Sequence, residues 1–409
     1  MSFDLALSGI NAANTDLNVT SNNLANVGTT GFKQSRAEFA DLFAQTQDGV
    51  SRNAVGNGVQ VAAVAQQFGQ GNITSTGNNL DLALSGSGFF VVSNNGALSY
   101  TRNGAFQVDQ NGYLVTSSGE QVQGYAPLAN GGFNTGGLAS LQLTTAESAP
   151  QATTTADVSL NLPSSATAPA NSPLNPADPT TYTDTTSLTV YDSLGAAHTA
   201  QLYFSKQATP VNTWNASLYV DGNSVSSTPQ TLTFSNTGAL TSPANGQVNF
   251  GAYTPTTGAA AMNMTFNFGQ ATQDGDTFGV NSVSQNGYTT GSLTGVNISS
   301  SGVVQANFTN GQSKTLGQVA LANFADPQGL QQEGNTQWQQ SYESGAAVHG
   351  VAGGSGFGSI QSGALESSNV DMTAQLVNMI TAERAFQANA QMISATDQVT
   401  QSIINIPNG

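Results

Sequence analysis

The stretch DMTAQLVNMITAERAFQANAQMISATDQVTQSIINI, residues 371–406, nearly closes the chain and reads as one long amphipathic helix. Its apolar side chains recur every seven residues, at Met372, Met379, Phe386 and Ile393, with Leu376 in the complementary position. A capping box formed by Ser368 and Asp371 is expected to start this helix. An apolar stripe of this kind needs something to pack against, so a second helix is expected elsewhere in the chain.

The beginning of the chain has the same seven-residue spacing. Phe3, Ile10, Leu17 and Leu24 recur every seven residues, with Leu7, Asn14 and Ser21 in the complementary position. The segment is rich in Asn, a poor helix former, so this helix is expected to be marginal alone in water and to become ordered on assembly. Gly28 is expected to end it. Two heptad segments at opposite ends of the chain predict a coiled-coil pair.

Between the two helices the sequence changes to the two-residue period that is typical of β-strands. Segment 89–115 places Asn-Gly pairs, a strong hairpin signal, at 95–96, 103–104 and 111–112. Residues 187–204 read as strand–turn–strand, and AMNMTFNF (261–268) alternates apolar and polar side chains. The Gly-rich stretch at 345–363 is expected to be a flexible connector. The middle of the chain is therefore predicted to be β.

The composition excludes several classes of protein. The 409 residues carry 7 basic and 23 acidic side chains and a net charge of −16, which argues against nucleic-acid binding. There are no cysteines, so disulfides and thiolate metal sites are excluded. The first residues lack the basic and apolar regions of a cleavable signal peptide, so export is expected to keep the N-terminus.

No catalytic or metal-binding motif stands out in the sequence. His198 and His349, the two histidines, are interpreted as structural or surface residues. The glycines of GGSGFGS (353–359) do not match a dinucleotide fingerprint, and no strand–helix unit surrounds them. We therefore expect no enzyme activity, no catalytic residue, no metal and no cofactor.

Two long stretches resemble a known family. SNNLANVGTTGFKQSRAEFADLF (21–43) is similar to the N-terminal signature of the flagellar rod and hook family, and GALESSNVDMTAQLVNMITAERAFQANAQMI (363–393) is similar to its C-terminal signature. The N-terminal signature falls on Ala25, Asn26, Thr29, Gly31, Phe32 and Lys33, and Gly28 lies within it as a further hinge candidate. Segments 80–92, 100–115, 285–304 and 316–324 look like parts of the family's first β domain.

The resemblance implies a nested fold that is mainly β with α-helical termini. Coiled-coil helices from the N- and C-termini accompany two nested, discontinuous β domains. The expected division has a terminal helical core (1–30 and 364–409), a linker or hinge (31–70), a first β domain (71–145 and 285–363) and an inserted outer β domain (146–284).

The function implied by the resemblance is mechanical. The expected protein is a structural subunit of the hook that assembles with copies of itself into a flexible helical tube, a universal joint that transmits motor torque to the filament. The implied partners are the rod, the hook–filament junction proteins, the hook cap and the length-control protein, with no nucleic acid and no membrane insertion. The implied location is extracellular, after flagellar type III export. A distal rod subunit of the same family and a β-rich secreted adhesin are the alternatives.

The apolar seam residues are the expected polymer contacts. They are Phe3, Leu7, Ile10, Leu17 and Leu24 of the first helix, and Leu376, Met379, Phe386 and Ile393 of the last. An ordinary antiparallel helix pair within one chain is the alternative for this stripe. For Lys33 and Arg36, contact with an acidic partner surface and simple solvation both remain open.

Overall fold

The computed structural model of the chain describes residues 2–42, 56–143 and 147–404. Within these ranges the fold is mainly β, with a helix at each end: α1 at Ser2–Ala25 and α2 at Met372–Ile404. This confirms the predicted class of a β-rich chain with helical termini, while coiled-coil winding of the helices stays a prediction. In the described part of the chain, neither helix has the length and apolar character needed to cross a membrane.

The chain divides into two compact units. The first contains the described residues of 1–145, 295–307 and 313–409, and the second contains those of 146–294 and 308–312. The strands are β1 Ser35–Asp41, β2 Val59–Gln66, β3 Ile73–Ser75, β4 Leu82–Ser85, β5 Phe89–Asn94, β6 Ala97–Thr101, β7 Gln107–Val108, β8 Leu114–Val115, β9 Gln121–Tyr125, β10 Ala139–Ser140, β11 Thr155–Pro163, β12 Asp184–Tyr191, β13 Ala197–Lys206, β14 Thr213–Val220, β15 Asn223–Ser224, β16 Gln230–Phe234, β17 Leu240–Ser242, β18 Gln247–Tyr253, β19 Met262–Asn267, β20 Thr272–Asp274, β21 Gly279–Gln285, β22 Leu293–Ile298, β23 Val303–Phe308, β24 Ser313–Asn323, β25 Gln331–Gly334, β26 Gln337–Gln339, β27 Val348–Val351, β28 Ser359–Ser362 and β29 Ala364–Glu366.

The first unit is built on a twelve-stranded sheet with β24, β9, β5 and β6 at its centre. Strand β5 is buried on both faces. Phe90 and Val92 belong to one apolar core, and Phe89 and Val91 belong to another, because successive side chains of a strand point to opposite faces. This sheet therefore has an apolar core on each of its two faces.

The first two Asn-Gly pairs of segment 89–115 behave differently. Asn95–Gly96 forms the expected two-residue hairpin between β5 and β6, and both residues have positive φ. Asn103–Gly104 does not form a hairpin. Gly104 lies against β4, where a Cβ would sit 1.7 Å from the carbonyl oxygen of Leu82, so this glycine serves close packing rather than a turn.

Two segments predicted as linkers contain strands. The described part of 31–70 includes β1 and β2, which pair antiparallel, while 43–55 lies outside the described residues. The Gly-rich stretch 345–363 was predicted to be a flexible connector, and this is wrong. It supplies β27, which pairs with β24, and β28, which pairs with β4. Backbone pairing explains both differences, because it needs no apolar side-chain pattern.

The second unit contains a five-stranded and a six-stranded sheet that share one apolar core. The predicted strand–turn–strand at 187–204 is confirmed as β12 and β13. The alternation of 261–268 is also confirmed: Met262, Met264, Phe266 and Phe268 are buried in the core, while Asn263 is exposed. The two-residue pattern thus located both the strands and the core-facing side chains.

Candidate functional site

The two terminal helices pack against each other within the chain. Gly9 of α1 lies against Asn389 of α2, and a Cβ on Gly9 would approach that amide to 2.7 Å. Near the other end of α1, the Asn23 side chain donates to the Gln375 amide oxygen at 3.4 Å. From the first contact to the second, the residue number rises along α1 and falls along α2. The two helices are therefore antiparallel.

Small and polar side chains form the buried face of this helix pair. Ala6, Ala13, Thr20 and Asn23 are buried on α1, and Gln375 and Ala382 are buried on α2. The structure has α1 as a regular helix, and its marginal stability alone in water stays a prediction. The buried Asn23 side chain near the end of α1 exchanges hydrogen bonds of 2.7 and 2.8 Å with the backbone of Ser35.

The predicted apolar seam is only partly covered in the single chain. Phe3 and Leu7 are 49% and 42% exposed, and Leu376 and Phe386 are 44% and 37% exposed. The half-buried seam residues are Ile10, Leu17, Leu24, Met379 and Ile393. Met372, Val377, Ile380, Met392 and Val399 add further exposed apolar surface on α2. The chain therefore pairs its helices through small residues and leaves much of the apolar stripe uncovered.

The residues that cap the two helices differ from the predicted ones. Asp371 alone caps α2, because its Oδ1 accepts the backbone N–H groups of Thr373 and Ala374 at 2.8 and 3.1 Å. Helix α1 ends at Ala25, but Gly28 does not have the left-handed backbone of a C-cap glycine. The left-handed residue in this segment is Gly31, with φ of 70°.

The signature segment after α1 forms a compact turn. Asn26 accepts the Thr29 backbone N–H at 3.1 Å, and the Asn26 side-chain oxygen accepts the Thr29 hydroxyl at 3.1 Å. The Gly31 N–H donates to the carbonyl oxygen of Glu366 at 2.8 Å. The motif residues Ala25, Gly28 and Phe32 lie along the same turn, with Ala25 and Gly28 exposed and Phe32 half-buried. The motif therefore joins the end of α1 to the chain just before α2.

Lys33 is the buried centre of this junction. Its Nζ lies 2.6 Å from Glu366 Oε1 and donates to the Gly69 carbonyl oxygen at 2.8 Å. Glu366 Oε2 lies 3.3 Å from the Arg102 guanidinium. The Lys33 and Glu366 side chains are fully buried, so the two readings left open for Lys33, a partner contact and a solvated cation, are both wrong. Arg36 is exposed and pairs with Glu38.

Two cations share one carboxylate in this cluster, which we call the Lys33–Glu366–Arg102 cluster. Burial lowers the pKa of Lys33, and Arg102 lowers it further, although Glu366 opposes both effects. Burial likewise lowers the pKa of Arg102 against the opposing effect of Glu366. Glu366 Oε1 also accepts the Gly71 backbone N–H at 2.8 Å. Removing this single carboxylate would leave both buried cations without a counter-charge.

Gly31 permits the close approach on which the cluster depends. A Cβ on Gly31 would lie 2.5 Å from the Asn103 backbone nitrogen. Because the position also has φ of 70°, Gly31→Ala is expected to lower the unfolding free energy of the first unit by at least about 2 kcal/mol. Urea unfolding followed by circular dichroism measures the loss.

Gly28→Ala is the matched control for this substitution. A Cβ on Gly28 meets nothing within 4 Å, and its backbone lies outside the left-handed region. We expect a change within about 1 kcal/mol, of either sign. Equal losses for the two variants would show that the geometry of Gly31 is not the cause.

His198 lies in a second polar cluster, in the second unit. Its Nδ1 is 2.6 Å from Asp221 Oδ2, and its Nε2 is 3.2 Å from Asp192 Oδ2. Tyr253 donates to Asp221 at 3.4 Å, and Thr257 donates to Asp192 at 2.8 Å. In the described residues, no group of three His, Cys, Asp or Glu side chains is arranged to hold a metal ion. This cluster supports the structural interpretation of His198.

The cluster links the stability of the second unit to pH. Burial disfavours the charged ring, but Asp221 and Asp192 outweigh it and raise the pKa of His198 above 6.5. Burial would raise the pKa of Asp192, but hydrogen bonds from Thr257, His198 and two backbone amides lower it from 3.8 to about 2. The charged His198 ring therefore stabilises the folded second unit at low pH, and this stabilisation is lost as pH rises through the raised pKa. The charged Asp192 carboxylate stabilises the folded second unit at higher pH, and this stabilisation is lost as pH falls towards 2.

We therefore expect the second unit to be most stable between about pH 4 and 6.5. Thermal unfolding is followed by the fluorescence of Trp214, which is buried in the second unit, in a Trp338→Phe background. His198→Gln should lower Tm more at pH 5 than at pH 9, because more of the ring is charged at the lower pH. An equal effect at both values would contradict this charge assignment.

Comparison with family models gives matches along most of the chain. Residues 3–33 match the flagella basal body rod protein model, and residues 83–168 match the flagellar hook protein FlgE/F/G D1 domain. Residues 159–288 match the flagellar basal body protein FlaE D2 domain, and residues 361–406 match the flagellar basal body rod FlgEFG protein C-terminal model.

Whole-chain relatives agree with these matches. The chain is 39% identical to the flagellar hook protein FlgE of Salmonella typhimurium over 99% of this chain and 100% of the relative. It is 32% identical to that of Borreliella burgdorferi over 98% of each chain. The crystal structure of Helicobacter pylori flagellar hook protein FlgE2 superposes with a TM-score of 0.53 at 15% identity, over 72% of this chain and 100% of that chain. At that identity the superposition shows a shared fold alone.

Proposed function

The chain belongs to the flagellar hook protein family, and on that premise we propose that it is the structural subunit of a hook. Copies of the chain assemble into a flexible helical tube, a universal joint that carries motor torque to the filament. The role is mechanical and involves no catalysis. It is favoured over a rod subunit and over an adhesin by the whole-chain relatives, which are named flagellar hook proteins.

One observation carries the polymer proposal: helix pairing within the chain leaves apolar surface uncovered on both terminal helices. Phe3 and Leu7 on α1, and Leu376 and Phe386 on α2, share the heptad spacing of the seam. These side chains are 37–49% exposed, so burying the remainder of each contributes about 0.5–1.5 kcal/mol. We propose that the terminal helices of neighbouring copies cover these four side chains.

The domain roles follow from this proposal. The helical segments 1–30 and 364–409 line the core of the tube, and 31–70 works as a hinge with its β1–β2 ribbon. The β segments 71–145 and 285–363 form the first β domain, and 146–284 forms the outer one. The signature residues act as the hinge at the end of α1. The external partners are the rod, the hook–filament junction proteins, the hook cap and the length-control protein, reached after type III export to the cell exterior.

Sedimentation and negative-stain microscopy of the full-length protein test the proposal. Subunits with a net charge of −16 repel one another, so the assay is run from 0.15 to 1 M salt, where the Debye length falls from about 8 to about 3 Å. Tubes that sediment above a threshold concentration support the proposal. Monomers alone, at every concentration and salt tested, would contradict it.

A further inference from the structure

Tyr342 of the first unit stands fully exposed on a short turn. Its relative exposure is 102%, whereas the next most exposed large apolar side chain among the described residues is Val211 at 76%. The Tyr342 side chain has no ring contact, hydrogen bond or ion pair in the described part of the chain. Its aromatic surface therefore contributes nothing to the packing of this chain.

The turn that carries Tyr342 is firmly held. Ser344 is fully buried, and its hydroxyl lies 3.0 and 3.1 Å from the carbonyl oxygens of Ser341 and Gly345, either of which can accept its hydrogen. The Ser341 hydroxyl accepts the backbone N–H groups of Glu343 and Ser344 at 3.0 and 3.2 Å. The same hydroxyl donates to the carbonyl oxygen of Gly329. The two serines thus fix the turn on both sides of Tyr342.

The turn also rests directly on the chain beneath it. A Cβ on Gly329 would lie 2.4 Å from the Ser344 nitrogen and 2.5 Å from the Glu343 carbonyl carbon. The Asp326 N–H donates to the Ser344 carbonyl oxygen at 3.4 Å. A fixed backbone beneath an uncovered aromatic side chain is the arrangement of a preorganised binding anchor, because little further ordering is needed on association.

We propose that Tyr342 is an anchor through which one copy of the chain binds the next copy in the tube. This rests on the proposed function. Tyrosine is enriched among residues that dominate binding energy, since its ring is apolar and its hydroxyl can bond. Contacts in a helical polymer are heterologous, so Tyr342 binds a different face of the neighbouring copy. The abundant amide and hydroxyl side chains of this chain suit the phenol group.

Two substitutions test the anchor in the full-length protein. Tyr342→Ala is expected to raise the critical concentration for tube formation about tenfold or more, as for loss of a binding hot spot. Tyr342→Phe, which keeps the ring, is expected to change it less. Thermal unfolding of monomeric Tyr342→Ala should match that of the wild type, because the side chain contacts nothing within the chain. Any effect on assembly then arises between copies.

Leu194→Ala is the control, because Leu194 is an exposed apolar residue of the second unit. An equal rise for both alanine variants, or no rise for Tyr342→Ala, would overturn the proposal.

Nitration by tetranitromethane, read by mass spectrometry, tests the same anchor without mutation. Tyr342 should react fast in monomers and be protected in tubes. Tubes in which Tyr342 remains equally reactive would overturn the anchor alone. Failure of the wild type to form tubes would overturn the proposed function as well, and that outcome is visible without any variant.

Discussion

Glu366→Gln is expected to lower the unfolding free energy of the first unit by about 3–5 kcal/mol, as when one partner of a buried ion pair is removed. The substitution keeps the shape of the side chain but removes the one carboxylate that lies between Lys33 and Arg102. Two buried cations then face each other without a counter-charge. Unfolding is followed by the fluorescence of Trp338, which is buried in the first unit, in a Trp214→Phe background.

Two further substitutions serve as controls, one in an exposed ion pair and one that leaves the buried carboxylate paired. Glu38→Gln breaks the Arg36–Glu38 pair, whose side chains are 66% and 43% exposed, and should cost at most about 1 kcal/mol. Lys33→Met removes a cation and leaves Glu366 paired with Arg102, so it should cost less than Glu366→Gln. A larger loss for Lys33→Met would show that packing or the hydrogen bond to Gly69, rather than unbalanced charge, dominates this site.

The pH dependence separates charge from packing in the same variant. Without Glu366, nothing opposes the effects of burial and Arg102, so the folded-state pKa of Lys33 falls further below 10.5. The folded state then binds fewer protons than the unfolded state, and stability rises with pH up to the ordinary lysine pKa. The deficit of Glu366→Gln relative to wild type should therefore narrow between pH 7 and 10. A constant deficit would point to packing alone.

Local periodicity predicted the elements of this fold but not how they are joined. The heptad spacing of Met372, Met379 and Phe386 located α2, and the alternation of 261–268 identified core-facing side chains. Both patterns repeat over one element, so a single sequence contains them. The partner of Lys33 is different in kind, because Glu366 lies 333 residues away and no local spacing relates the two. The family motif marked Lys33, yet gave no sign of its burial.

The helix pairing shows a second limit of sequence patterns. The seven-residue apolar pattern was read as the contact seam, whereas the pairing within the chain uses small and polar residues such as Ala13, Asn23 and Ala382. An apolar stripe shows that burying that face of the helix is favourable. It does not specify which surface packs against the stripe. Two faces of one helix can serve two partners. Small residues suit the close pairing within the chain, and the larger apolar residues remain for a surface outside it.

Phe386→Asp is expected to raise the critical concentration for tube formation at least about a hundredfold, which abolishes assembly at ordinary concentrations. Phe386 is 37% exposed, so covering the rest of its side chain contributes about 0.5–1 kcal/mol, and most of the expected hundredfold effect comes from the buried charge. An aspartate in the same interface also loses its hydration without a partner. Sedimentation of the full-length variant, with microscopy of the pellet, measures the effect.

The fold of the single chain should survive this change. Phe386 is 37% exposed on α2 and belongs to none of the three apolar cores, so the unfolding of both β units is expected to match the wild type. Circular dichroism checks that helix content is retained. Gln387→Asp adds the same charge at the adjacent exposed position and should assemble far better, because no apolar contact is lost. If Phe386→Asp formed tubes at the wild-type concentration, the stripe on α2 would not be a contact between copies. The uncovered surface would then need another explanation.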